Sequence, residues 1–313
     1  MLDDMVGRFR AGMIGVFAAG MIACAPVDHP EIATTENPLE SSNGTWLNGT
    51  WLNGTTINGQ SVSNVALAGS KLTGWFHGHT ISGEDFEGAQ LSGVDGNGAP
   101  VTLRIDGVDP AGANGVWTYV LSYASGGDWL PVCGDPATRA VAVNGRWDSR
   151  TGVPGGGAKI SDGAITFACR GISAIAKCVD MGYRPWAGWF GQSLDRHHQA
   201  CVRMVRADLC GDGTSYTENG RAINVYDALG VQVSEDNTLI GGILEWAFEA
   251  EWTPDGSRCI SVDARDRFLD AGIVPSCLLS KVSLLCGSWW RFASGTLIMN
   301  DVRALEVHVG DLL

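Results

Sequence analysis

From residue 47 to residue 91 apolar side chains recur at a spacing of five: Leu47, Leu52, Ile57, Val62, Leu67 and Leu72. After a four-residue step the series resumes at Phe76, Ile81, Phe86 and Leu91. Two places after each comes Gly, with Asn64 the one exception. A period of five is neither the 3.6 of a helix nor the 2 of a strand. Each L-x-G-x-x unit offers one side chain to a core and then a residue suited to a left-handed backbone. Units of this kind bury a core only by stacking on one another. The pattern over residues 43–95 therefore predicts a short β-solenoid leaning on the next domain. The alternative is a Gly-rich loop winding over that domain.

Beyond residue 99 the pattern changes. Residues 101–108, 116–124, 140–148 and 164–169 read as strands, separated by turn signals such as Asp109-Pro110 and the run "SGGD". Residues 170–183 read as a helix with Ile172, Ile175, Ala176 and Val179 on one face. A second helix over 195–210 carries Cys201, Met204, Val205 and Leu209. Strands over 222–227 and 245–252, a helix over 275–286 and a strand over 295–309 follow. Strands, then helices, then strands argue α+β: an antiparallel β region with two or three helices.

The first 23 residues modify this picture. Residues 11–23, "AGMIGVFAAGMIA", form an uncharged apolar run behind Arg8 and Arg10. The run is too short to span a bilayer and fits the apolar region of a signal peptide. It ends in "MIAC", which resembles a bacterial lipobox and implies a lipid on Cys24. An ordinary signal peptide with an unmodified Cys24 is the alternative. Residues 24–42 are rich in Pro, Glu, Ser and Thr and read as a tether behind that Cys. A membrane reached through this lipid is thus one expected partner.

A formal net charge of −13, with no basic block, sets nucleic acid aside as a partner. Eight further cysteines remain: Cys133, Cys169, Cys178, Cys201, Cys210, Cys259, Cys277 and Cys286. An even number in an exported chain points to disulfides, whose pairing the sequence leaves open. Zinc would require close pairs, and no C-x-x-C exists. The three N-G-T copies match a glycosylation sequon, but the repeat itself accounts for them.

The stretch from Asp208 to Glu218 nearly spells a calcium loop, with Asp208 and Asp212 at ligand positions, Gly213 at the turn and Glu218 near the closing position. Cys210 interrupts the ligands, and the alternative has both aspartates capping backbone amides. No cofactor or metal is expected. His197 and His198 begin a helix about 100° apart and do not share a metal. His77 and His79 flank Gly78 with nothing nearby to complete a site. Glu249 and Glu251 fall on what the alternation makes the exposed face of a strand, opposite Trp246, Phe248, Ala250 and Trp252. Hydrolysis of glycan or cell wall would draw on Asp208, Asp212 or His198. Of the 12 Trp, Trp46, Trp51, Trp75, Trp186, Trp189, Trp289 and Trp290 lie where they could dock a ligand, although most are expected in the core.

Residues 207–210, Ala-Asp-Leu-Cys, sit within "VRADLCGDGTSYTENGRAINVYD". Together with "FACRG", "AKCVDMGYRPW", "HHQACVRMVRAD", "FEAEWTPDGSRC" and "FASGTLIMN", this run resembles the ADYC domain, with Leu209 in place of the Tyr. The likeness spans about residues 99–301, within an expected domain of 99–313. That family occurs in exported proteins of Gram-negative bacteria, and the resemblance assigns no activity. The five-residue period is similar to pentapeptide-repeat β-helices. The expected protein is an envelope lipoprotein in the periplasm or at the cell surface, serving as a binding module for a glycan or protein. A secreted hydrolase and a purely structural envelope protein are the alternatives.

Overall fold

The computed structural model describes residues 37–38 and 47–303, apart from 95–98, 113, 190, 218–219, 235–238, 241–242, 245, 271, 273, 288–291 and 293–294. The expected signal peptide, Cys24, most of the tether, Trp46, Trp289, Trp290 and Glu218 lie outside the described residues. Residues Glu31–Leu313 form one compact unit.

In chain order the strands are β1 (Asn37–Pro38), β2 (Leu47–Ile57), β3 (Gln60–Ser61), β4 (Ser63–Ala68), β5 (Lys71–Phe76), β6 (His79–Ser82), β7 (Gln90–Val94), β8 (Pro100–Asp109), β9 (Thr118–Ser125), β10 (Asp128–Pro131), β11 (Ala140–Trp147) and β12 (Lys159–Cys169). Then come α1 (Ala174–Asp180), β13 (Gly188–Trp189), β14 (Gln192–Ser193), α2 (Asp195–Val205), β15 (Ala222–Asp227), β16 (Leu239–Ile240), β17 (Ile243–Leu244), β18 (Trp246–Thr253), β19 (Gly256–Ile260), α3 (Val262–Asp270), α4 (Leu278–Lys281) and β20 (Ile298–Arg303).

Antiparallel pairing runs β9-β11-β12-β2-β7-β8 and returns from β8 to β9, so six strands close into a barrel with β10 attached outside. Closure leaves no sheet edge among these six. Along β11, Ala140 and Ala142 point into the barrel core, while Val141 and Val143 point out against the helices. The apolar run at 140–143 thus reads as a strand buried on both faces. The interior is filled by Leu91, Leu103, Ile105, Tyr119, Leu121, Ile165 and Phe167.

The L-x-G run does not coil. β2 and β7 are staves of the barrel, and β4-β5-β6 form a small antiparallel sheet between them in the chain. No sheet among the described residues forms a solenoid, which corrects the expectation from the five-residue period. The reason lies in the turns. Asn58-Gly59 (φ 51° and 75°) and His77-Gly78 (φ 49° and 85°) each join directly paired residues, Ile57 to Gln60 and Phe76 to His79. Two positive φ values in a two-residue loop make a type I′ hairpin, which folds the chain back on itself. A solenoid needs the chain to advance instead. The small sheet caps the barrel with Val62, Leu72 and Ile81. The Tyr119 hydroxyl fixes it by donating to Ser70 O and accepting from Leu72 N, both at 2.8 Å.

The second half is a five-stranded antiparallel sheet, β1-β15-β20-β18-β19. The helices α1 and α2 lie between it and the outer face of β11 and β12. Two residues of the expected tether, Asn37 and Pro38, pair with β15 as an edge strand. Four disulfides form: Cys133–Cys169, Cys178–Cys201, Cys210–Cys277 and Cys259–Cys286. The first belongs to the barrel, and the other three tie the helices and the sheet. The architecture is therefore mostly antiparallel β with a few helices.

Candidate functional site

The motif at 207–210 begins where α2 ends. Ala207 adopts a left-handed backbone, φ 47°, and turns the chain sharply. Asp208 is thereby carried into the interior. Its Oδ2 is held by the Arg203 guanidinium and accepts from Gly213 N at 3.1 Å, and its Oδ1 accepts from Asp212 N at 3.1 Å. Arg206 stands 3.9 Å from the same carboxylate and donates to Gly213 O at 2.7 Å. Arg203 also donates to the carbonyls of Gly156 and Pro254. The buried Leu209 sends its carbonyl to Ser257 N (3.0 Å), Ser257 Oγ (2.8 Å) and Lys281 Nζ (2.8 Å). Cys210 is bonded to Cys277. At Gly211 an added Cβ would stand 1.9 Å from Asp255 O, so the turn after β18 sits directly on the loop.

Four segments therefore meet on this motif: the end of α2, the loop before β12, the β18–β19 turn and α4. Burial holds the Arg206 and Lys281 cations below their usual pKa. Both oxygens of Asp208 are engaged, one by a guanidinium. A calcium ion would compete for those oxygens against two adjacent arginines. Asp212 accepts from Thr214 N at 2.9 Å as a turn cap. Leu209 fills its place by packing.

The structure brings Asp208 and Asp212 together but turns His198 elsewhere. His198 is buried, with Nε2 3.1 Å from Ile175 O and its ring edge-on to Trp147. Burial pushes it down to about 3, so the ring is neutral and Nε2 carries the proton. His197 stacks on Tyr183 and is also lowered by burial. His77 bonds Gln60 at 2.6 Å and stacks on Phe76.

Glu249 and Glu251 are not on an exposed face. Both are buried, at 1% and 0% exposure. The register slips between Phe248 and Ala250 opposite β20, a bulge that defeats the simple alternation. Glu249 pairs with Arg267 of α3 and accepts from Asn300 Nδ2 at 2.7 Å. Glu251 accepts from Gly287 N at 2.9 Å and Thr296 Oγ1 at 2.7 Å. It also lies near the sulfurs of Cys259 and Cys286, but these are bonded to each other and offer no thiolate. Sequence reasoning passed over Asp301 on β20. It accepts from Asn224 Nδ2 at 3.0 Å and Tyr226 Oη at 3.1 Å, and burial raises it to about 6. It is the one acid of β20, set between Asn300 and Val302, and that was the available signal.

Among the described residues, two surface features stand out. A shallow open cleft of ≈ 280 Å³ is lined by Lys159, Asp195, Arg196, Gln199 and Asp255. Lys159 is already paired with Asp195 there. The second is apolar: Leu279 is 86% exposed, Leu284 89% and Leu285 58%. These residues lie on the stretch gripped by Cys210–Cys277 and Cys259–Cys286. By contrast Trp147, Trp246 and Trp252 are buried, Trp186 and Trp189 are half-buried, and Trp75 is exposed. No helix among the described residues is long and apolar enough to cross a membrane.

No curated protein and no solved structure matches the chain. The profile of the ADYC domain matches residues 83–266. That span runs from the capping sheet's end into α3 and holds Cys210 and Cys259, but not their partners Cys277 and Cys286. It covers more than half of the chain, including the whole Asp208 clasp up to the β18–β19 turn: the chain belongs to the ADYC domain family.

Proposed function

We propose that the protein is an exported envelope lipoprotein, lipidated on Cys24, whose domain is a binding module in the periplasm or at the cell surface. One observation carries the reading. Asp208, His197 and His198 serve the fold's interior and Asp212 caps a turn, while large apolar side chains stand out on a covalently clamped stretch. Exposed leucines of this extent mark interaction surfaces. The four disulfides agree with an extracytoplasmic compartment.

The test uses the compact unit Glu31–Leu313, oxidised, mixed with isolated bacterial membranes and with purified cell wall. Retained protein and released soluble fragments are both measured. Retention without release is expected. Release of glycan fragments would overturn the reading in favour of the hydrolase, and neither retention nor release would leave only a structural role. In the full chain, Cys24→Ser is expected to abolish incorporation of labelled fatty acid.

A further inference from the structure

We propose that residues 274–286 rest on a phospholipid bilayer and insert Leu279, Leu284 and Leu285 among the acyl chains; this rests on the binding-module reading above and names its partner. The underside of the stretch is fixed to the domain. Lys281 Nζ reaches down to the carbonyls of Leu209 and Ser257, at 2.8 and 2.6 Å. Val282 bridges to Ile260, and Ser283 N donates to Ile260 O at 3.0 Å. Disulfides hold positions 277 and 286. On a backbone so held, Leu279, Leu284 and Leu285 stay exposed.

Charge indicates what covers them. The chain carries a net −13, yet no Asp or Glu lies between Asp270 and Asp301. The stretch itself thus presents no carboxylate to a phosphate-bearing surface, and Asp208, Asp212 and Asp255 sit on the side of Lys281. Protein-binding hot spots favour Trp, Tyr and Arg in pockets and are poor in Leu. Exposed leucines flanked by serines suit a fluid apolar phase that needs no matching shape. A single acyl chain binds a membrane only marginally, so a lipid on Cys24 gains from a second contact.

The test is co-sedimentation of the oxidised unit Glu31–Leu313, which lacks the apolar leader and Cys24, with phosphatidylcholine vesicles. The expected result is binding that hardly changes with salt. Leu284→Ser with Leu285→Ser should weaken partition about tenfold or more, since each buried leucine favours transfer strongly. Both sites are exposed, so the variant should unfold at the wild-type midpoint. Leu130→Ser, exposed on the barrel side, should bind as wild type. The proposal falls if the wild type stays in the supernatant or if the double variant binds equally well. It also falls if the wild type self-associates through these leucines instead of binding vesicles. Retention on whole envelope material without vesicle binding would sink the lipid partner alone and leave the binding module standing.

Discussion

The barrel and the helix–sheet half solve the same problem by different means. The barrel closes its hydrogen-bond ring, fills its interior with apolar side chains and carries one disulfide. Among the described residues, the ion pairs within it, Arg104–Asp106, Arg139–Asp109 and Arg146–Asp162, are on partly exposed side chains. The helix–sheet half has an open sheet, three disulfides and ion pairs with buried carboxylates, Arg203–Asp208 and Arg267–Glu249. An open sheet leaves its covering segments without a ladder of their own. Loops and short helices such as α4 must be fixed by covalent and charged contacts instead. The motif at 207–210 is the centre of that fixing: one carboxylate, one carbonyl and one sulfur each secure a different segment.

The largest expected effect tests the charged contacts directly. Asp208→Asn leaves Arg203 buried without its counter-charge, which costs about 3–5 kcal/mol. Asp162→Asn breaks a barrel pair in contact with solvent and costs about 0–1 kcal/mol. Denaturant unfolding followed by Trp fluorescence measures both. Equal midpoints for the two variants would erase the distinction between the halves.

Acidity should separate the halves next, because Asp301 and His198 both belong to the helix–sheet side. Asp301 is raised from 3.8 to about 6, chiefly by burial. Its folded form therefore holds a proton more tightly than its unfolded form. The stability it contributes is fully present below its ordinary value and is lost as pH rises through about 6, on the order of 3 kcal/mol. His198 works in the opposite sense. Lowered from 6.5 to about 3 by burial, it contributes stability above pH 6.5 that is lost on acidification. Asp301→Asn should thus gain on the wild type between about pH 4 and 6 and keep that gain above. A constant difference across this range would show that Asp301 does not titrate in the folded state as described.

Much of the architecture was legible, and the failures have local causes. Strands were expected over 101–108, 116–124 and 140–148, and β8, β9 and β11 overlap them to within a residue or two; α1 and α2 lie inside the helical stretches 170–183 and 195–210. The repeat misled because a period of five was read ahead of Asn58-Gly59, a hairpin signal in its own right. The helix α3 was missed because Asp263, Arg265, Asp266, Arg267 and Asp270 crowd it. Only Ala264 and Phe268, four apart, mark its buried face. The helix expected over 275–286 shrinks to Leu278–Lys281, its flanks held by disulfides at 277 and 286 that composition could not place. Asp208 was named as a site residue, but its partner is Arg203, five residues earlier, and the carbonyls that complete the clasp come from residues 156 and 254. Such a partnership is set by tertiary closure and leaves no spacing to read. The same holds for Glu249 and Arg267, joined only because a bulge and an unforeseen helix meet.

The smallest expected effect asks whether the barrel depends on any single polar contact at all. Tyr119 is a buried side chain linking stave to cap, beside Ser70 Oγ, which accepts from Trp117 N at 2.8 Å; burial pushes the Tyr119 hydroxyl well above the ordinary pKa, so it stays protonated. Tyr119→Phe keeps the ring against Phe167 but leaves Leu72 N and Ser70 O without their partner. An unpaired buried group costs about 1–3 kcal/mol. Because the six-stranded ring is closed without the cap, the loss should appear as local opening rather than global unfolding. Hydrogen exchange at the Leu72 amide should therefore accelerate about tenfold, while amides of β11 and β12 keep their protection. If those ladder amides were to accelerate equally, the cap would be part of what closes the barrel, and the barrel would share the other half's dependence on individual polar ties.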